Sequence, residues 1–317
     1  MRILYVGTLP PYPGGAAISC AEILAGLATR GHSVSALAPI TAGTGGAGAA
    51  FDATRSELAI TRFPVPYFTS GQLRPESAEY RELVAGHLRR LLPCALEASR
   101  PAVVFVGRET FAWTAPDLAH DRGVPVLQRL AGTVTWALIE RRYPKRLAAD
   151  LYAKLARIEG LVTPAHHMAE AVMLLGLTRV SAIPTAVDLA HFRPAPRDPA
   201  LAGRFAIDPD DVVVAHVSTL KPVKRPRDLI ESAALVLAAD PRVVYLIVGD
   251  GELRPALEAA SRELGLADRI RFAGWSPYAE MPRYLSLADM VVMPSDSEGL
   301  ARVYLETQAC GRVLVAS

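Results

Sequence analysis

The chain has 317 residues, of which 51% are hydrophobic and 21% charged, with a formal net charge of +2. That is length for two domains with solid cores, too apolar for a chain disordered at large, and too weakly basic, without an aromatic and basic platform, for nucleic acid to be the main partner. Cys20, Cys94 and Cys310 are too few and too scattered for a disulfide framework or a zinc box, so no metal and no cofactor is expected.

The elements follow a βα rhythm from the first residues. Ile3 to Val6 reads as a strand, Pro13-Gly14-Gly15 as a turn, Ala16 to Thr29 as a helix ended by Gly31, and Ser33 to Leu37 as the next strand. A strand pattern beginning at Arg2 leads to the expectation of no signal peptide and a cytoplasmic chain. Residues 41–50 hold only small side chains and predict a mobile surface loop. Leu58 to Phe63, a long helix over Glu76 to Ala98, and a buried strand at Val103 to Val106 come next. A further αβ step runs through Val124 to Leu130, a basic helical stretch over Arg141 to Arg157, and a last step through Leu161, Ala165 to Leu175 and Val180 to Ile183.

Pro194-Ala195-Pro196-Arg197-Asp198-Pro199 predicts a linker, because its prolines stop regular structure. Beyond it the rhythm restarts: Val212 to Val217, a helix over Pro226 to Ala239, Val243 to Val248, Ile270 to Phe272, Met290 to Met293 and Val313 to Val315. The fold class is therefore α/β, two Rossmann-like doubly wound domains over 1–195 and 196–317, with ligands expected at the carboxyl ends of the strands and in the cleft between the domains. No apolar run is long enough to span a membrane. Through Arg193 the chain carries 20 Lys+Arg against 15 Asp+Glu, leaving 14 against 17 beyond it. A mildly basic first half suits an acidic acceptor or peripheral contact with the inner membrane face.

Three stretches carry chemistry. Only four of the 34 basic residues are lysines, and Lys221 and Lys224 share one loop after a strand, where compact point charges suit a departing diphosphate. Pro13-Gly14-Gly15 offers unhindered backbone at a helix start, able to approach phosphate. Met290 to Met293 is followed by Glu298-Gly299-Leu300, expected to open a helix that carries Glu306. On such a helix the two carboxylates lie roughly 12 Å apart along the axis and ~80° apart around it, a span that fits a nucleotide-sugar laid across free amides. Taken alone, two glutamates on a helix are an ordinary wet surface. Gly249-Asp250-Gly251 is half a dinucleotide fingerprint and a weak pointer to NAD.

Ser297-Glu298-Gly299, Val303-Tyr304-Leu305-Glu306 and Ala309-Cys310-Gly311 resemble the Glu-x7-Glu signature of retaining nucleotide-sugar glycosyltransferases of family 4 (glycosyl transferases group 1), which have the GT-B fold. The resemblance implies a metal-independent glycosyltransferase that moves a hexose or N-acetylhexosamine from a UDP- or GDP-sugar to a sugar, lipid-linked or small-molecule acceptor. It implies Lys224 at the phosphate lysine, Glu298 on the donor sugar and Glu306 on the ribose. Gly14, Gly15, Lys221, Arg225, Gly249, Gly274, Gly299 and Leu300 complete the implied donor site. The turn Phe272-Ala273-Gly274-Trp275 would hold the nucleobase edge, with Trp275 equally well a packed aromatic. Gly31-His32-Ser33-Val34 and the stretch Ile183 to Pro194 also match, although Thr185 and Ala186 replace Asn and Gly. Thr219 stands where the family commonly has Arg, so Lys221 or Arg225 is expected to supply the second cation. Many relatives carry a His at the place of Ala131. Arg108, Glu109 and Arg129 are the nearest candidates for acceptor contacts. The family continues beyond the position of Ser317, so the chain is expected to be truncated, and a catalytically impaired nucleotide-sugar or glycan-binding remnant of the same fold is the alternative to an active transferase; an epimerase or phosphorylase is the third.

Overall fold

The structure, a computed structural model, describes residues 1–12, 14–41, 43–66, 77–130 and 132–317. The chain folds as two compact units, Met1–Thr185 and Ala186–Ser317.

In the first unit the order is β1 (Arg2–Val6), α1 (Gly15–Thr29), β2 (Ser33–Thr41), α2 (Gly45–Ala53), β3 (Leu58–Val65), α3 (Ala78–Ser99), β4 (Val103–Val106), α4 (Ala115–His120), β5 (Val126–Arg129), α5 (Thr133–Ile139), α6 (Lys145–Ala156), β6 (Gly160–Thr163), α7 (His166–Leu174) and β7 (Val180–Ala182). Among the described residues the strands form one sheet in the order β3-β2-β1-β4-β5-β6-β7, with every pairing parallel. Both faces are covered, and the two-residue period sorts the strand side chains between them. Leu4, Val6, Val104 and Val106 enter one core with Leu88 and Leu92 of α3, whereas Ile3, Tyr5 and Phe105 enter the other with Cys20 and Leu24 of α1.

Two expectations for this unit are corrected. Residues 45–53 form a helix rather than a mobile loop. Small side chains let it lie on β2, since a Cβ on buried Gly48 would run into Ile40, and Arg62 pins it by an ion pair to Asp52 at 2.6 Å. Arg141 takes a left-handed φ of 56° between α5 and α6, so the basic helix expected over 141–157 begins only at Lys145. Its charge is partly neutralised as well, Arg142 by Glu140, and Lys154 and Arg157 by Asp117. In α3 Ser77 caps the start by accepting from Tyr80 N at 3.2 Å, and the expected start at Glu76 lies outside the described residues.

The second unit runs α8 (Pro199–Arg204), β8 (Val212–Val217), α9 (Pro226–Ala239), β9 (Val243–Val248), α10 (Arg254–Glu263), β10 (Ile270–Gly274), α11 (Met281–Leu287), β11 (Met290–Met293), α12 (Arg302–Ala309) and β12 (Val313–Ala316). Its parallel sheet has the order β10-β9-β8-β11-β12. Val213, Ala215, Val244, Leu246 and Val248 face one core, and Val214, Val243, Tyr245 and Ile247 the other.

The proline-rich stretch expected as a linker belongs to this unit, so the boundary falls before 195/196. Phe192 is fully buried in the second unit's core beside Leu201, Phe205 and Tyr284. Asp198 caps α8 by accepting from Leu201 N at 2.9 Å, and Pro199 fills the first helical position, where its missing N–H leaves nothing unbonded.

Candidate functional site

In an open α/β sheet the crevice forms where the strand order reverses, outside the carboxyl ends of the strands. Each unit has such a point, between β1 and β4 in the first sheet and between β8 and β11 in the second. The candidate residues gather at these two points, one cluster in each unit.

In the second unit the loop after β8 meets the loop after β11. Asp296 N donates to Val223 O at 2.9 Å, and Lys224 Nζ forms an ion pair with Glu298 Oε1. Both side chains are largely buried, at 21% and 17% exposure. The phosphate lysine and the sugar-reading glutamate of the sequence reading are therefore brought into direct contact. Arg225, with a left-handed φ of 48°, caps α9 and turns its guanidinium to Asp228 and Asp296. Lys221, in the same loop, is exposed.

The helix expected to open at Glu298-Gly299 begins only at Arg302. Glu298, buried Gly299 and Leu300 lie in the preceding loop, and Ala301 is the N-cap. The expected helical separation of the two glutamates therefore does not apply. Glu306 is on α12 at 5% exposure, and its carboxylate accepts from Arg302 Nε at 3.1 Å. Arg302, at 8% exposure, also donates to Tyr278 Oη and sits 5.3 Å from that ring's centre. The spacing of Arg302 and Glu306, one helical turn apart, was the sequence signal for this pair.

His216 is a second residue that sequence reasoning passed over. It is fully buried on β8, with Nδ1 2.9 Å from Val292 O and Nε2 2.7 Å from Ser218 Oγ. The carbonyl can only accept, so Nδ1 carries the proton and Nε2 accepts from the Ser218 hydroxyl. Burial pushes its pKa down to about 4, so the ring is neutral and ties β8, β11 and the start of the lysine loop together.

The glycine turns brace that loop. Gly249 has φ 130°, and a Cβ there would overlap Ser218 O; a Cβ on Gly251 would stand 2.6 Å from Leu220 O. Gly249 N donates to Gly274 O at 2.8 Å, and Leu220 N to Asp250 O at 3.0 Å. The need for glycine at 249 is thus the close approach of the neighbouring loop. Trp275 is 70% exposed, which removes the packed-aromatic reading. It lines a cavity of about 270 Å³ with Arg204, Ser276 and Tyr284.

In the first unit Gly14, with φ 109°, caps α1, and a Cβ there would meet nothing within 4 Å. Gly15 is the first residue of α1. At the β1/β4 point Tyr5 Oη donates to Thr8 O at 3.0 Å and packs so closely on Gly7 and Gly107 that neither could carry a Cβ. Arg108 and Arg129 both act on Tyr5 electrostatically. Glu109, 1% exposed, accepts from the Thr135 hydroxyl and from Gly132 N at 3.4 Å, which ties the turn after β4 to the start of α5. The Ala131 position lies outside the described residues.

Residues 13–191 match the family described as Glycosyltransferase Family 4, and residues 199–317 match Glycosyl transferases group 1. A protein of Segniliparus rotundus called D-inositol 3-phosphate glycosyltransferase is 36% identical over 143 residues, covering 44% of this chain and 32% of that one. A protein of the same name from Nocardia farcinica is 30% identical over 217 residues, 65% of this chain and 48% of that one. The chain thus spans about a third to a half of the length of these relatives. Among solved structures, Anabaena HepE in complex with UDP and glucose superposes with a TM-score of 0.76 at 19% identity, over 100% of this chain and 80% of that one. Sucrose-phosphate synthase from Thermosynechococcus elongatus gives 0.79 at 17% identity, over 100% and 81%.

Proposed function

The chain belongs to Glycosyltransferase Family 4 and has the GT-B fold, and from that premise we propose that it transfers a hexose or N-acetylhexosamine from a UDP- or GDP-sugar to an acceptor, with retention at the anomeric carbon. The observation that carries this reading is the Lys224–Glu298 pair at the second unit's switch point, which holds a phosphate cation against a carboxylate able to read sugar hydroxyls. HepE solved with UDP and glucose, and D-inositol 3-phosphate glycosyltransferases among the relatives, support a nucleotide-sugar donor.

In this reading Lys221 and Lys224 face the diphosphate, and the free amides at the start of α12 add the positive end of its dipole. Glu298 accepts hydrogen bonds from the donor sugar, and Glu306, oriented by Arg302, accepts them from the ribose diol. Breaking the bond from the anomeric carbon to the phosphate oxygen leaves charge on the diphosphate, which the ammonium groups stabilise as it develops. The acceptor oxygen bonds to that carbon on the face the phosphate leaves, and its proton passes to the departing phosphate oxygen. No protein nucleophile and no metal enters these steps, so a chelator is expected to leave the rate unchanged.

The test is calorimetric titration of UDP and GDP into the wild-type chain and into Lys224→Ala and Glu306→Gln. Each change is expected to weaken the preferred nucleotide by about tenfold, which corresponds to roughly 1.4 kcal/mol. Affinity unmoved by both would remove the site. Binding without any sugar transfer or donor hydrolysis would favour a non-catalytic remnant over a transferase.

A further inference from the structure

Two arginines are buried among the described residues, Arg302 at 8% and Arg129 at 6% exposure. Arg302 has the Glu306 carboxylate. Arg129 Nη1 has no hydrogen-bond partner, and Arg108, which like Arg129 acts on Tyr5 and whose side chain hydrogen-bonds Tyr12, keeps an unbonded Nε. β4 and β5 run side by side with Val106 opposite Gln128, so Arg129, the last residue of β5 and paired with Val162 of β6, lies at the same sheet end as Gly107 and Arg108, which follow β4. The side chain of Gln128 donates to Arg129 O at 2.7 Å while its own Oε1 is unbonded.

The surroundings do not balance these two cations. Glu109 is the carboxylate that acts on Arg108 while its Oε1 accepts from Thr135 and Gly132, and one carboxylate offsets at most one guanidinium. Burial pushes the phenols of Tyr5, Tyr12 and Tyr80 up, so all three are neutral hydroxyls at ordinary pH. Buried guanidinium donors without acceptors are uncommon and costly, and a fork of N–H groups matches the oxygens of a phosphate or carboxylate.

We infer that Arg108 and Arg129, at the β1/β4 switch point of the first unit, form an oxyanion subsite that grips a phosphomonoester group. Two guanidiniums that both act on the Tyr5 hydroxyl favour a doubly charged group over a single carboxylate. That the group belongs to the acceptor rests on the transfer reading above; the anion site itself does not.

The probe is inorganic phosphate, titrated calorimetrically into the full chain held in excess UDP, with acetate as the carboxylate arm. Phosphate is expected to bind more tightly than acetate, and Arg129→Met and Arg108→Met are each expected to weaken it at least tenfold, with Arg129→Lys in between. UDP affinity measured on the same samples is expected to stay within twofold, which also reports that the variants are folded. Tighter binding of acetate would replace the phosphomonoester by a carboxylate and overturn that assignment. Phosphate affinity unchanged in both methionine variants, or lost instead in Lys221→Ala, would overturn the subsite. Should UDP fail to bind the wild-type chain, the donor reading falls, while the phosphate titration still decides this one.

Discussion

The switch points of the two sheets are built from the same parts and solve opposite electrostatic problems. In the second unit each buried or half-buried cation of the site has a carboxylate, Lys224 with Glu298 and Arg302 with Glu306, and neutral His216 ties β8 to β11. In the first unit Arg108 and Arg129 keep buried N–H groups without acceptors. In the proposed transfer the second site binds a diphosphate and then releases it, which cations already balanced would serve, because the ligand exchanges one set of oxygens for another. A site left with excess positive charge stores a cost that only an incoming anion removes.

The largest effect separating the two is expected at Arg302. Arg302→Met leaves Glu306 buried without its guanidinium, and is expected to lower the stability of the second unit by about 3–5 kcal/mol. Adding Glu306→Leu should recover most of that loss, because both charges are then gone. Hydrogen exchange of the β8 and β9 amides reads the second unit alone; a single-variant loss under about 1 kcal/mol would mean the pair contributes little and the contrast is false.

His216 sets the next effect, through pH. Its folded pKa of about 4 lies below the ordinary 6.5, so the unfolded chain binds the extra proton first. Stability from this group is therefore fully present above about pH 6.5 and falls as pH drops toward 4, by about 3 kcal/mol in all. His216→Asn should flatten the profile between those limits. A wild-type curve with the same slope as the variant would show the ring is not held neutral.

How much of this was legible beforehand follows from where the signal was local. Parallel strands buried on both faces write themselves as short apolar runs, which is why β8, β9, β11 and the helix Pro226–Ala239 lie where the sequence places them. The lysine pair stood out because lysine is scarce in this chain. What failed depended on tertiary packing or on competing local rules. α2 is built of glycine and alanine, poor evidence for a helix until Ile40 and Arg62 give it a surface to lie on. Pro199 reads as a breaker until Asp198 is seen as its cap. Glu298 stayed off the helix because its carboxylate is engaged by Lys224 across the neighbouring loop, a contact 74 residues distant in sequence. Arg129 was named in the sequence as a candidate acceptor contact, but nothing local announced that it would be buried with an Nη1 that has no partner.

That residue offers the smallest change and the most discriminating one. Arg129→Met keeps the length and apolar stem of the side chain and removes a charge whose Nη1 has no partner, so the first unit should be unchanged or gain about 1 kcal/mol. The same substitution at Arg302 is expected to cost several times that, with the opposite sign. A stability gain coupled to loss of phosphate binding is the mark of a residue kept for a ligand rather than for the fold. If instead Arg129→Met destabilises the first unit by about 2 kcal/mol or more in urea, the guanidinium is already balanced inside the protein, and the two switch points are electrostatically alike.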